Sequence, residues 1–392
     1  EAWGQPGWAD YTGVSRTMSS LTWDEARALA QVLDEVSQPL IESELIIICA
    51  QRKRVRYDAD LTGIPVSNTS QTYPNAAFGH MDDAIRLGYQ AALVSLESPT
   101  YQRLWLSSAH HPGDTVSCTQ AEALILAAES RTGLRPRRRT EILEQRIKVF
   151  ESQMETTRQR LLTQQEGVRE ADDRLEEAQQ QISERQVILI ELEESYRERQ
   201  LQERPSSRLS LARKRLKAAE RRYQSRTKTL LSAERRLEKT KVQQQEQQDV
   251  LAHLQERLVH FERDNAKNPF PIEAEFRLDA GFGTYENIAL LIEMGYEVYT
   301  KAYNCRLVKC IKNKTGPETG WTRVGANAEM VAWAGMSLKH CHYPLDVGLE
   351  RFYAGKKIKH SVLLHFGDDH VTENLPEWFD HYNKRQTIEA GI

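Results

Sequence analysis

The sequence predicts an α/β protein: a mixed sheet with helices, interrupted by a long antiparallel coiled-coil hairpin and by a β-rich insert. Three observations lead there. Strand-like runs occur on both sides of residues 137–264. That interval holds a single glycine, Gly167, and a single proline, Pro205. Acids stand within or just after two of the strand-like runs, at Asp58, Asp60 and Asp279. The resulting plan has an N-terminal helical region over 1–50 and the first half of a sheet domain over 51–136. The hairpin covers 137–264, the second half of the sheet domain 265–303, the β-rich insert 304–366 and a last helix 367–392.

Composition narrows the classes. A chain of 392 residues can hold more than one domain. Charged residues make up 28% and the formal net charge is −3, so nucleic-acid binding would have to come from local patches. Five scattered cysteines suggest no disulfide framework and fit a reducing compartment. No apolar run reaches the roughly 18 residues that span a bilayer, so no membrane partner is expected. The chain opens Glu1-Ala2-Trp3-Gly4 without Met and stops at Gly391-Ile392 in helical sequence, which reads as a chain cut at both ends.

Taken in order, residues 1–50 are helical, with capping-type starts at Thr12 or Ser15 and at Thr22. Short helices of this kind suit either a helix-turn-helix DNA reader or an ordinary small bundle. Arg54 to Ile64 alternates as a strand, which puts Asp58 and Asp60 on one face. Val66 to Met81, rich in Asn, Ser, Thr and Gly, reads as a loop. Leu87 to Leu96 and Arg103 to Ala109 complete a three-strand meander around a turn at Ser98-Pro99-Thr100. Thr119 to Arg131 is an amphipathic helix ended by Gly133.

The hairpin is written in apolar spacings of three and four. Leu143, Ile147, Phe150 and Met154 open the first arm, and Leu209, Ala212, Leu216 and Ala219 the second, around a tip at Pro205-Ser206-Ser207. Residues 140–203 carry 16 acids and 9 bases, whereas residues 208–263 carry 7 acids and 15 bases. Arms of opposite charge favour folding against each other over pairing like with like. Each would reach about 90 Å at 1.5 Å per residue.

Beyond Asn268, Ile272 to Leu278 is a strand, Thr284 to Met294 a helix and Tyr296 to Tyr303 a strand. Short strands are expected at Arg306 to Ile311, Gly320 to Val324, Leu349 to Tyr353 and Ser361 to Phe366. Leu375-Pro376 opens a helix through Tyr382, Arg385 and Glu389. Asp58 and Asp60 in a strand, Asp279 before Ala280-Gly281-Phe282-Gly283, and Glu389 on that helix form a possible acidic set. Acids gathered from separate elements repel unless a cation joins them. Oxygen ligands with open positions suit Mg²⁺, with Mn²⁺ as a substitute.

The chain resembles the DDE transposases of bacterial insertion sequences, in the subgroup with a Tyr-(2)-Arg-(3)-Glu-(6)-Lys signature. Tyr382, Arg385 and Glu389 match its first three positions, and its Lys would lie past Ile392. Asp60-Leu61-Thr62 matches the Asp-x-Thr of the first acid, and Arg277-Leu278-Asp279-Ala280-Gly281-Phe282 the second. The resemblance covers roughly residues 52–133 and 270–392; the coiled coil departs from it. It implies a ribonuclease-H-like domain in which Asp60, Asp279 and Glu389 hold two Mg²⁺ ions, with Asp58 the rival or additional ligand. It implies attack by water at the transposon end, then attack of the freed 3′-hydroxyl on target DNA. It also implies a homodimer on DNA in a bacterial cytoplasm, at the nucleoid. Tyr382 and Arg385 would contact DNA phosphates, and Arg137, Arg138 and Arg139 would add a basic patch. Trp321 or Trp333 would stack on an unpaired base or form part of the insert core.

Two other classes compete. A metal-dependent nuclease of the same fold would use the same acids. A coiled-coil scaffold of the chromosome-organising kind would need a phosphate-cradling Gly-x-x-x-x-Gly-Lys-Ser/Thr loop, which the sequence lacks. Cys305, Cys310 and His340-Cys341-His342 have no common zinc spacing.

Overall fold

Alternation in the first strand decides the layering. Tyr57 and Ala59 point to one face of the sheet, and Asp58 and Asp60 to the other, because successive strand residues alternate. In the structure, a computed structural model that describes residues 11–67, 73–81, 84–355 and 357–385, all four are buried, so both faces of this strand are covered. The helices and strands divide between two units, Glu1–Arg139 with Phe261–Ile392, and Thr140–His260.

The first unit opens with α1 (Tyr11–Ser20) and α2 (Trp23–Ala50). Thr22 caps α2 in a reciprocal capping box with Glu25. Thr12 and Ser15 lie inside α1 rather than before it. Then follow β1 (Val55–Pro65), β2 (Ala77–Met81), β3 (Ala84–Ser98), β4 (Gln102–Pro112) and α3 (Ala121–Thr132). Gly133 ends α3 in the left-handed conformation, with φ 66°. The stretch read as a loop thus contains β2, which pairs antiparallel with β3. Its composition is poor in strand formers, and pairing overrides propensity there. Part of that stretch, 68–72, lies outside the described residues.

Beyond the hairpin come β5 (Ala274–Leu278), α6 (Tyr285–Glu293), β6 (Glu297–Lys301) and α7 (Cys305–Lys312). The strand expected over Arg306 to Ile311 is therefore a helix. Asn304 caps it by accepting from the Arg306 N–H, and Leu307 and Ile311, four apart, bury on one side. The rest is β7 (Thr322–Arg323), β8 (Ala328–Met336), β9 (Leu345–Ala354), β10 (Lys357–Phe366) and α8 (Leu375–Asn383). β8 corresponds to no strand expected from the sequence.

Among the described residues, ten strands join one mixed sheet, in the order β2-β3-β1-β5-β6-β10-β9-β8-β7, with β4 also paired to β3. β1 runs antiparallel to β3 and parallel to β5, and β5 runs parallel to β6. β10 pairs antiparallel with β6, so the β-rich stretch extends the same sheet. One face packs on α3 and α6 through Tyr57, Phe276 and Tyr296, whose rings lie 4.9–6.2 Å apart. The other carries α8, through a buried cluster of Tyr299, Met330, Leu363, Trp378 and Tyr382. Among the described residues, no helix is long and apolar enough to cross a membrane.

The second unit consists of α4 (Thr140–Glu198) and all but the last turns of α5 (Arg208–Ala266). Near the turn that joins them, Arg213 pairs with Glu193 at 2.8 Å and with Glu203 at 2.7 Å, and Arg185 donates to the Arg215 carbonyl. These partners converge from both sides of the turn, as an antiparallel hairpin requires. Small or apolar side chains, including Ala171, Ala178, Ala219 and Leu254, are buried at the seam spacings.

The chain ends where the hairpin leaves and returns are tied within the first unit. Arg138 pairs with Asp264 at 2.9 Å, its N–H donates to Asn265 Oδ1, and its guanidinium lies 5.5 Å from the Phe261 ring centre. Replacing residues 140–260 by a short Gly-Ser linker is therefore expected to leave a cooperatively folding first unit. Circular dichroism and thermal unfolding of the shortened protein check this; a broad, non-cooperative melt would contradict it.

Candidate active site

The acids of β1 have separate fates. Asp58 is fully buried, and its carboxylate is spent on arginines. Arg277 Nε and Nη2 donate to its two oxygens at 2.7 and 2.8 Å, and Arg103 Nη1 adds a third contact at 2.7 Å. Asp58 and Arg277 are direct cross-strand partners in the β1–β5 register and point to the same face. Arg277 also donates to Glu97 and to the His381 carbonyl. Asp58, a candidate metal ligand from the sequence, has both oxygens bound by guanidinium groups in this structure. An arginine between Phe276 and Leu278, inside a short strand, was the signal available for this pair. A buried guanidinium requires a carboxylate.

Asp60 lies two residues further along β1 and is 6% exposed. Asp279 follows the last residue of β5 and its side chain is 43% exposed. Ala59 pairs with Leu278, so the two acids follow the last β1–β5 pair: Asp279 just past the end of β5, and Asp60 midway along β1. Arg385 spans them: Nη1 lies 3.3 Å from Asp60 Oδ1, and Nη2 3.0 Å from Asp279 Oδ1. Thr62 donates to the other Asp60 oxygen at 3.4 Å. Asp279 caps a short 3-10 turn (Ala280–Phe282), accepting from the Gly281 N–H. The glycines there allow close approach: a Cβ at Gly283 would sit 1.9 Å from the Lys301 carbonyl oxygen.

The predicted DNA-contacting residues fall elsewhere than expected. Tyr382 is 2% exposed and donates its hydroxyl to the Leu278 carbonyl, so it anchors α8 to β5 rather than facing outward. Arg385 is 4% exposed and faces the acids. The expected basic patch separates. Arg138 is buried against Glu129, Asp264 and the Met294 carbonyl. Arg139 donates to the Ile292 and Tyr296 carbonyls and lies over the Phe366 ring. Carbonyls at the end of α6 and just beyond it, those of Ile292, Met294 and Tyr296, accept from these two guanidinium groups. Only Arg137 of the three is exposed. Trp321 is half-buried with Arg351 4.0 Å over its ring, and Trp333 is half-buried on β8 opposite Val347. Glu389 lies outside the described residues.

Electrostatics around Asp58 favour ionised groups. Burial pushes the Glu97 carboxyl up, but Arg277 and Arg56 outweigh it and hold the group below its ordinary range. The arrangement can fix one carboxylate pair, Asp60 and Asp279, around a single cationic group at the end of parallel strands. That is chemistry suited to a hard cation or to a phosphate that competes for the guanidinium. No family model matches the chain, and no curated protein matches it.

Two outcomes follow. Arg277→Met leaves Asp58 buried with a weakened counter-charge and should lower stability by about 3 kcal/mol in urea unfolding. Glu97, with its folded pKa depressed, contributes stability above its ordinary pKa that is lost as pH falls through the lower folded value. Glu97→Gln should therefore flatten the acid limb of the stability curve below the usual glutamate pKa of about 4.3. An unchanged acid limb would contradict the assignment.

Proposed function

We propose that this chain is a DDE transposase in which Asp60, Asp279 and Glu389 form the metal-binding acids of phosphodiester cleavage and strand transfer. The observation that carries the reading is the pair of acids, Asp60 within β1 and Asp279 just past its parallel neighbour β5, that share one guanidinium, Arg385. The strand order β4-β3-β1-β5-β6, with an antiparallel meander and then two parallel strands, supports a ribonuclease-H-like domain. The match of Asp60, Thr62, Asp279, Tyr382 and Arg385 to the family motifs supports it further.

The donor set fits hard divalent cations: carboxylate oxygens from separate elements already brought around one positive group. Two Mg²⁺ ions, or Mn²⁺, would polarise the scissile phosphodiester and make water or a 3′-hydroxyl a better nucleophile. The rest falls to the chain. β1 and β5 hold Asp60 and Asp279 at fixed separation, which limits the reorganisation needed when charge develops. Tyr382 and Arg277 fix α8 and the segment after it, and so fix Arg385 beside the reacting centre. The Arg385 fork matches the geometry of a phosphate, for which it would exchange its carboxylate partners. Terminal-repeat and target DNA are the partners. Joining two transposon ends calls for two active sites, hence a homodimer on DNA.

Asp279→Asn is expected to lower Mg²⁺-dependent cleavage of transposon-end DNA by roughly a hundredfold or more while DNA binding persists, since even outer-shell partners of a metal cost 10–100-fold. Cleavage and strand-transfer products on gels provide the readout. Cleavage at an unchanged rate would overturn the site. Cleavage with no joined product would favour a nuclease of the same architecture.

A further inference from the structure

We propose that Glu297, His365 and Asp369 form a second cation site, of Zn²⁺ type, toward the opposite end of the strands from Asp60 and Asp279. One nitrogen or oxygen from each residue lies within 4.8 Å of the others. Glu297 opens β6, His365 is near the end of β10, and Asp369 lies in the segment that leads to α8. β5 and β6 are parallel, with Glu275 paired to Glu297, and Asp279 lies four residues beyond Glu275. At about 3.3 Å per residue the two sites are roughly 13 Å apart.

The histidine points to a ligand. His365 is 1% exposed, and its Nδ1 lies 3.0 Å from Asp346 Oδ2. A carboxylate on one ring nitrogen fixes the tautomer and leaves the other as a lone-pair donor, as second-shell carboxylates do for metal-bound histidines. His365 Nε2 is buried and has no hydrogen-bond partner, which is costly without one. Glu297 Oε2 is likewise buried and without a hydrogen bond, although Arg54 lies 2.8 Å away.

Charge is under-compensated. Glu297 and Asp369 share one guanidinium, that of Arg54, at 2.8 Å each, while nearby Glu275 has Arg56 and His381 as partners. A divalent ion supplies the second positive charge. One imidazole with two carboxylates selects a borderline cation such as Zn²⁺ over Mg²⁺. Ligands about 2.1 Å from the metal stand roughly 3.4 Å apart in a tetrahedron, so donors now within 4.8 Å of one another would draw together, with the Arg54 guanidinium shifting to make room. A cavity of about 570 Å³, lined by Arg54 and Asp369 and also by Arg52, Lys53 and Arg56, gives the Arg54 guanidinium room to move. The ion would tie β6 and β10 to the segment before α8, so its role is structural.

The test is Zn²⁺ binding by chelator-treated full-length protein, read by metal analysis after gel filtration and by thermal unfolding. The reference protein carries Asp60→Asn and Asp279→Asn, which removes binding at the candidate active site. It should retain a Zn²⁺ equivalent and gain roughly 3 °C or more in melting temperature at saturating Zn²⁺. Adding His365→Gln or Asp369→Asn should lower the stoichiometry by one and abolish the gain. Asp369 has a side chain 46% exposed, so its Asn variant keeps the test valid if the buried His365 variant fails to fold. Equal stoichiometry in the reference protein and a folded Asp369→Asn variant overturns the proposal. So does a Zn²⁺ gain that Mg²⁺ reproduces fully.

Discussion

The buried pair of Asp58 and Arg277 is the constraint on which the candidate site depends. The two residues face each other across β1 and β5, the only strands that join the meander to the parallel half of the sheet. Two guanidinium–carboxylate bonds there, backed by Arg103 and Glu97, reward one register. A slip by one residue would put Arg277 on the opposite, aromatic face without a partner, a cost of several kcal/mol. With that register fixed, Asp60 and Asp279 must stand side by side where the pairing of β1 with β5 ends. The fold thus uses one acid to position the next one along the strand.

Much of the positive charge acts inside the molecule. Arg138 and Arg139 look in sequence like an exposed basic run, yet they close the end of α6 and the junction with the hairpin. Arg277 and Arg385 brace strands and the segment after α8. Buried guanidinium groups of this kind rarely add much net stability, but they are intolerant of a missing partner, which makes them specific. α8 is held at both levels: Trp378 and Tyr382 pack in its apolar cluster, while Arg277 donates to the His381 carbonyl.

The helical hairpin leaves the sheet domain between α3 and β5, in the middle of its sequence. Such an interruption is compatible with folding when the two ends meet in the native structure, because the loop-closure cost grows only slowly with length. Arg135, Arg138, Asp264 and Asn265 bring those ends together. The hairpin then gains its own stability from seam packing and from arms of opposite charge.

The sequence by itself determined the elements with strong period or punctuation. The two long arms followed from sustained spacings of three and four, β1 from alternation, and the end of α3 from Gly133. It also put Asp58 and Asp60 on one face. α7 escaped because Leu307, Val308 and Ile311 form too short an apolar run to separate helix from strand by period. β2 and β8 escaped because pairing with β3 and with β9, rather than local composition, makes them strands. Tertiary structure alone decided what each charge meets. Asp58 and Asp60 are indistinguishable by spacing, but one stands opposite Arg277 and the other at the mouth of the sheet, beside Arg385. Partner identity depends on contacts between residues more than two hundred positions apart, and local sequence carries no record of those distances.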